Sequence, residues 1–274
     1  MPTLKEPKDR RQIAIVVAYL GVLASMYFVD SLRHPVALAV ACGLSFLNAV
    51  VIHNAMHAPL FRERWANTGF RWVLSFGNLY PASANIPSHN VVHHGFDDDG
   101  DPDWAAPLPL PFRHPLLNLL HFPNVVGPRT FEGVRRWARR RGRSRFRRQY
   151  RTEALLAFTA TLLLLAFDFW AGLLFVIVPQ LFGARSILRI NLIQHAGADL
   201  ASRWNHSRNF VGRAFNWIMC NNGYHTIHHH RPQLHWSVLD DAHEEVRDEI
   251  EPSLLEPSLT AYLWRTFLCR TQER

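Results

Sequence analysis

Apolar residues gather in two pairs of runs, Ile13 to Val29 with Pro35 to Ile52, and Ala154 to Trp170 with Ala171 to about Ile190. The first two hold about 17 to 18 residues each, at the lower edge of the ~20 a helix needs to cross the hydrocarbon core of a bilayer. Short connections, Asp30 to His34 and the turn around Asp168 to Gly172, make each pair a helical hairpin. The pattern therefore predicts four transmembrane helices in two hairpins, over about 13–29, 35–52, 154–170 and 171–190. The first run is not read as a secretory signal, because no small-x-small cleavage site follows it and another span comes at once.

The segments between and after the spans carry weaker patterns. Phe70 to Ile86 is aromatic and apolar but short and broken by Pro81, which predicts an interfacial segment. Residues 105–128 hold six prolines among leucines and phenylalanines, which argues for a loop along the membrane surface and against one continuous helix. From Leu239 to Arg274, Asp, Glu and Arg mix with Leu and Trp in helical segments broken at Pro252 and Pro257, the composition of a cytosolic cap. No internal repeat is visible, and the expected architecture is all-α, an integral membrane protein forming a single domain over 1–274.

Composition changes this picture only through charge. With 48% hydrophobic residues and a mean hydropathy near zero, the chain of 274 residues has the average of a soluble protein, but the average hides segregation. Residues 129–151 carry eleven arginines against the single acid Glu132, more than the formal +8 of the whole chain. Basic residues favour the cytoplasmic side of short membrane loops. The N-terminal arm (Lys5, Lys8, Arg10, Arg11) and the arginine belt are thus expected in the cytoplasm, with both termini, and the two hairpin turns outside, Arg33 being an exception. The belt has three readings: contact with anionic lipid, docking of an acidic electron donor or acyl carrier, and nucleic-acid binding, which fits poorly between membrane spans. Cys42, Cys220 and Cys269 form neither a Cys-x-x-Cys pair nor a disulfide framework, so they add nothing.

The candidate chemistry lies in histidine. His53 and His57 stand in HNAMH; His89, His93 and His94 in HNVVHH; His225, His228 and His229 in NNGYHTIHHH; and His195 follows Asn191 by four residues. Spacings of i, i+3 and i+4 put side chains on one helical face, and neutral imidazole is the commonest transition-metal ligand. The predicted topology brings all nine to the cytoplasmic side, since the second span ends at Ile52 and the fourth near Ile190. His34, His114, His121, His206, His230, His235 and His243 are set aside as ordinary polar residues. Nine imidazoles exceed what one tetrahedral ion takes, so two metals share them more naturally. An all-nitrogen site suits iron, zinc or copper. Asp97, Asp98, Asp99, Asp101 and Asp103 are read either as carboxylates accepting the N–H of ligand imidazoles or as a solvated loop. Pro102 stands where a calcium loop needs glycine, which excludes an EF-hand.

The boxes His-x-x-x-His, His-x-x-x-His-His and His-x-x-His-His, with NLIQHAGAD at Asn191 and NNGYHTIHHHRPQLHW near the end, resemble the membrane fatty acid desaturase superfamily from about Phe46 to Leu239. That superfamily also includes acyl hydroxylases, carotenoid ketolases and alkane monooxygenases. The resemblance implies a cytoplasmic helical cap holding a di-iron site, with His53, His57, His89, His93, His94, His195, His225, His228 and His229 as iron ligands and Asn191 reaching iron through a water. It implies no catalytic side chain beyond the metal site, and no other cofactor-binding residue. O2 is the expected cosubstrate and a lipid or acyl chain the expected substrate, in a bacterial inner membrane. The arm and tail are too short for a fused redox domain, so electrons are expected from a separate ferredoxin-, rubredoxin- or cytochrome b5-type protein. No nucleic-acid partner is expected.

Fatty acyl desaturation is the first expectation. A hydroxylase or ketolase acting on an alkyl, acyl or carotenoid-like substrate would share every ligand. A non-enzymatic metal-binding membrane protein is the third reading, but it would place ligands along a pathway within the spans, whereas these lie at span ends.

Overall fold

The computed structural model describes residues 2–95, 102–140 and 142–269, and nearly all of its regular structure is helical. In chain order the helices are α1 (Arg10–Phe28), α2 (Pro35–His57), α3 (Arg64–Asn78), a π-helix (Ile86–His93), α4 (Pro115–Arg139), α5 (Ser144–Phe167), α6 (Phe169–Gly172), a π-turn (Leu173–Ile177), α7 (Val178–His195), α8 (Arg213–Ile218), α9 (His225–His230), α10 (Leu239–Glu244) and α11 (Leu259–Leu263). Among the described residues the strands are β1 (Asn209–Phe210) and β2 (Leu255–Glu256), a parallel pair too small to change the all-α class. Four helices, Pro7–Phe28, Pro35–His57, Ser144–Phe167 and Phe169–His195, are long and apolar enough to cross a membrane, and the protein is an integral membrane protein. The chain forms two compact units, one of Met1–Val92 with Phe131–Ile187 and one of His93–Thr130 with Leu188–Arg274.

In the first unit the spans overrun the apolar runs that announce them. α2 continues five residues past Ile52 to His57, and α5 begins at Ser144 inside the arginine belt, ten residues before Ala154. Hydropathy marks the part of a helix suited to lipid, whereas arginine is a good helix former and lets the backbone continue beyond it. The belt is thus the end of α4 and the start of α5, joined by a turn in which Gly142 takes φ +79. The break between the third and fourth spans falls at Asp168, whose carboxylate accepts the Ala171 N–H at 3.0 Å as a helix cap. Arg33, which ran against the charge pattern, is paired: its guanidinium meets Asp30 at 2.8 Å and Asp168 at 3.4 Å and donates to the Tyr27 carbonyl at 2.9 Å. The two hairpin turns are therefore tied to each other.

α3 departs from the interfacial expectation at its C-terminal end. Tyr19 on α1 donates its hydroxyl to the Gly77 carbonyl at 2.8 Å, Gln180 on α7 donates to the Phe76 carbonyl at 2.6 Å, and Asn78 donates to the Ser45 carbonyl on α2 at 3.1 Å. Tyr19 and Gln180 thus satisfy carbonyls in the last turn of α3, and Asn78 joins it to α2, which lets that end be buried. Beyond it, the buried Glu153 carboxylate on α5 accepts from Ser83 N–H (2.9 Å), Gln149 (3.0 Å) and Arg71 (3.3 Å), fixing the turn that leads into the π-helix.

α4 begins in the second unit and overturns, from Pro115 on, the loop expected over 105–128, while 105–114 is irregular as expected. Pro115 starts it, where a missing N–H costs nothing, and His114 Nδ1 accepts the Leu116 N–H at 3.2 Å. Pro123 and Pro128 each remove one helical hydrogen bond from its interior. The helix persists because Leu119, Phe122, Val126, Val134 and Trp137 are buried along one side, and tertiary burial outweighs a local propensity loss. Elsewhere in this unit, regular structure is short and stapled by side chains, and there the remaining histidines lie.

Candidate metal centre

The first unit gathers His53, His57 and His89. His53 and His57 share the last turn of α2 and are buried; His89 comes from the π-helix. Their ring centroids stand 4.5 to 5.1 Å apart, and their ligand nitrogens lie within 4.8 Å of one another. Asn90 fixes the π-helix against α2 by donating to the Met56 carbonyl at 2.8 Å, and Asn54 Oδ1 lies 3.1 Å from His53 Nδ1. A π-helix is uncommon and found most often at functional sites.

The second unit gathers His93, His195, His225 and His229, whose ligand nitrogens also lie within 4.8 Å of one another. His195 ends α7, His225 opens α9, and His229 is one turn further on. His195 Nε2 faces His225 Nε2 at 2.9 Å, and His229 Nε2 faces the same atom at 3.1 Å. The outer nitrogens are taken: His93 Nδ1 donates to the Asp103 carboxylate at 2.8 Å, and His195 Nδ1 donates to the His206 carbonyl at 3.0 Å. A neutral imidazole has one N–H, so both rings turn a lone pair inward. His225 Nε2 carries at most one hydrogen and cannot donate to both its neighbours; a cation at the centre relieves the facing lone pairs. Two nitrogens each ~2.1 Å from one ion at a right angle are ~3.0 Å apart, so the spacing fits a metal.

Electrostatics agree. Burial, and then the imidazoles of His225 and His93, hold His229 well below the ordinary histidine range, so it presents the neutral, metal-binding form. Burial alone would raise the Asp103 carboxyl, but the hydrogen bonds from His93 and the Ala105 N–H outweigh it and hold the group below the ordinary carboxylate range.

Polar side chains and a glycine hold this cluster in register. Asn209 on β1 accepts the Thr226 N–H at 2.9 Å, capping α9 from outside because Tyr224, at the cap position, supplies no side-chain bond. At Gly223 a Cβ would run into the Phe210 carbonyl and the Asn216 side chain, so only glycine allows the approach that starts α9. The buried Arg208 donates to the Ile193 carbonyl at 2.9 Å and the Ala196 carbonyl at 3.2 Å, closing the end of α7 that carries His195. Gln194 donates to the Asn222 carbonyl at 3.0 Å, joining that helix end to the segment before His225.

The single-face expectation fails for the second and third boxes. His89 and His93 belong to the same π-helix but to different clusters. In α9, His225 and His229 share the four-histidine cluster, while His228 turns aside to the ring of His94, 4.9 Å away. Adjacent residues on an α-helix diverge by ~100°, so His228 and His229 cannot both follow His225. His230 is exposed and packs on Trp204 at 4.5 Å. Asn191 donates its amide to the Ala105 carbonyl at 2.9 Å. Asp103 does accept from the His93 imidazole; Asp97, Asp98, Asp99 and Asp101 lie outside the described residues.

Several contributors escaped the sequence reading. His206 was set aside, yet its carbonyl orients His195 and its ring lies 5.1 Å from His229. A carbonyl exists at every residue, so no sequence signal marks it, and Asn209 and Arg208 had none either. His34, His114 and His235 are helix caps, each accepting a backbone N–H two residues on.

The family model described as "Fatty acid desaturase" matches residues 31–258, a stretch that contains every histidine of both clusters. No curated protein and no solved structure matches the chain.

Proposed function

Because this chain belongs to the fatty acid desaturase family, we propose that it is a membrane-bound, O2-dependent di-iron oxidase that desaturates a fatty acyl chain. Its coarser character, an oxidoreductase of the desaturase and hydroxylase type with histidine clusters able to hold metal, is the premise of the proposal. The observation that carries it is the set of four inward-facing imidazoles, with Asp103 and the His206 carbonyl fixing the tautomers of two of them.

His93, His195, His225 and His229 hold one iron; His53, His57, His89, His94 and His228 are the other proposed ligands, and Asn191 acts through a water. Iron supplies the activation of dioxygen needed to remove hydrogen from an unactivated C–H bond. Forming one alkene takes two electrons and two protons from the acyl chain. A separate donor of the ferredoxin, rubredoxin or cytochrome b5 type supplies two more electrons, and with two protons from solvent O2 leaves as two waters. The chain's own residues keep the ligand geometry fixed through hydrogen bonds from the outer ring nitrogens, which also raise the basicity of the inner ones. The whole of 1–274 acts as one catalytic domain. The membrane is a bacterial inner membrane with the belt and both termini on its cytoplasmic side, a reading the arginine bias supports.

Expression in a host lacking such an activity, followed by mass spectrometry of total lipid, tests the reading. Desaturation removes two hydrogens from an acyl chain. Gain of one oxygen would instead make the protein a hydroxylase or ketolase, and an unchanged lipid profile with a competent donor present would refute the oxidase reading.

A further inference from the structure

Five exposed arginines, Arg136, Arg139, Arg145, Arg148 and Arg151, make no ion pair or hydrogen bond among the described residues. Their neighbours are committed: Arg147 donates to the Ala138 carbonyl at 2.9 Å, Arg143 lies over the Trp137 ring at 3.9 Å, and Arg135 pairs with Glu132 at 3.6 Å. Trp137 and Phe146 pack edge to face at 5.0 Å. These contacts close the end of α4 onto the start of α5 as a stiff hairpin that carries the five exposed guanidinium groups.

We propose that this hairpin is a binding site for the headgroups of anionic phospholipids. Register on α5 decides for lipid over a soluble partner. Arg148 and Arg151 fall on the same helical face as Leu155, Phe158 and Leu162, which are 67%, 48% and 62% exposed, while Arg145 lies about 100° round the helix from that strip. That apolar strip, inside a span, faces lipid tails. At 1.5 Å per residue, Arg151 and Arg148 stand ~6 and ~10 Å before Leu155. The headgroup layer on one side of a bilayer is about 5 to 8 Å deep. Arg151 thus sits at phosphate depth directly above the lipid-facing strip, with Arg148 just beyond it and within side-chain reach, where a soluble acidic protein cannot follow the face downward. Arginine's planar fork matches two phosphate oxygens.

The test uses the full chain in zwitterionic detergent, titrated with phosphatidylglycerol or phosphatidylcholine, with bound lipid counted by native mass spectrometry. Phosphatidylglycerol is expected to be preferred at least tenfold, each arginine contributing about fivefold. Arg145→Gln, Arg148→Gln and Arg151→Gln together should abolish the preference. Lysine at the same positions should keep most of it, and Arg247→Gln, remote in sequence, should leave it unchanged. If the triple variant does not fold, Arg148→Gln and Arg151→Gln singly carry the test. A folded glutamine variant with full preference overturns the proposal, as does displacement of the lipid by an equal concentration of inorganic phosphate. Loss of binding to an acidic soluble protein with lipid preference intact would assign the belt to that partner instead.

Discussion

The trio His53, His57 and His89 and the quartet His93, His195, His225 and His229 are built by different means. Two of the trio ride on one turn of α2, a helix of 23 residues whose conformation is settled by span packing along its length. The quartet comes from three helix ends and depends on bonds made far from it in sequence: Asn209 to Thr226, Arg208 to Ile193, and Asp103 to His93. Long helices place ligands by their period, whereas short ones must be pinned from outside. Most outer changes should therefore hurt the quartet more than the trio.

The largest effect expected is from His195→Ala, which removes a first ligand: turnover should fall at least ~100-fold and one metal equivalent should be lost, as metal analysis would read. Asp103→Asn comes next. It keeps the shape but weakens the acceptor for His93, so affinity for iron should drop ~10-fold or more with folding intact; the corresponding change in the first unit, Asn90→Ala, should cost less because α2 still holds His53 and His57. Equal losses in both would show that the clusters are not held differently. Asn209→Ala removes the outside cap of α9 and should destabilise the fold by about 1 kcal/mol in denaturant melts. The smallest effect should come from His230→Ala, which leaves iron content and most activity intact because that ring packs on Trp204; a variant emptied of metal would put the register of α9 in error.

What the sequence revealed follows the same division. The four spans and box one were legible because hydropathy and a 3.6-residue period act within one helix. α4 was not, since its two internal prolines argue for a break locally and only burial of residues such as Phe122 and Val126 overrides them. The splitting of HNVVHH was hidden because the spacing was read as an α-helix, while the backbone there is a π-helix. His228 could have been separated from His229 by the ~100° through which adjacent residues diverge on an α-helix. Arg208, Asn209 and the His206 carbonyl act through tertiary contacts that leave no spacing to read.

The central claim, that these histidines hold two irons, is tested most directly by metal content per chain in the purified protein loaded with ferrous iron under anaerobic conditions, wild type beside His195→Ala. The account predicts about two irons in the wild type and about one in the variant. A single ion in the wild type, lost completely with His195→Ala, would mean that the quartet alone binds metal and would contradict it.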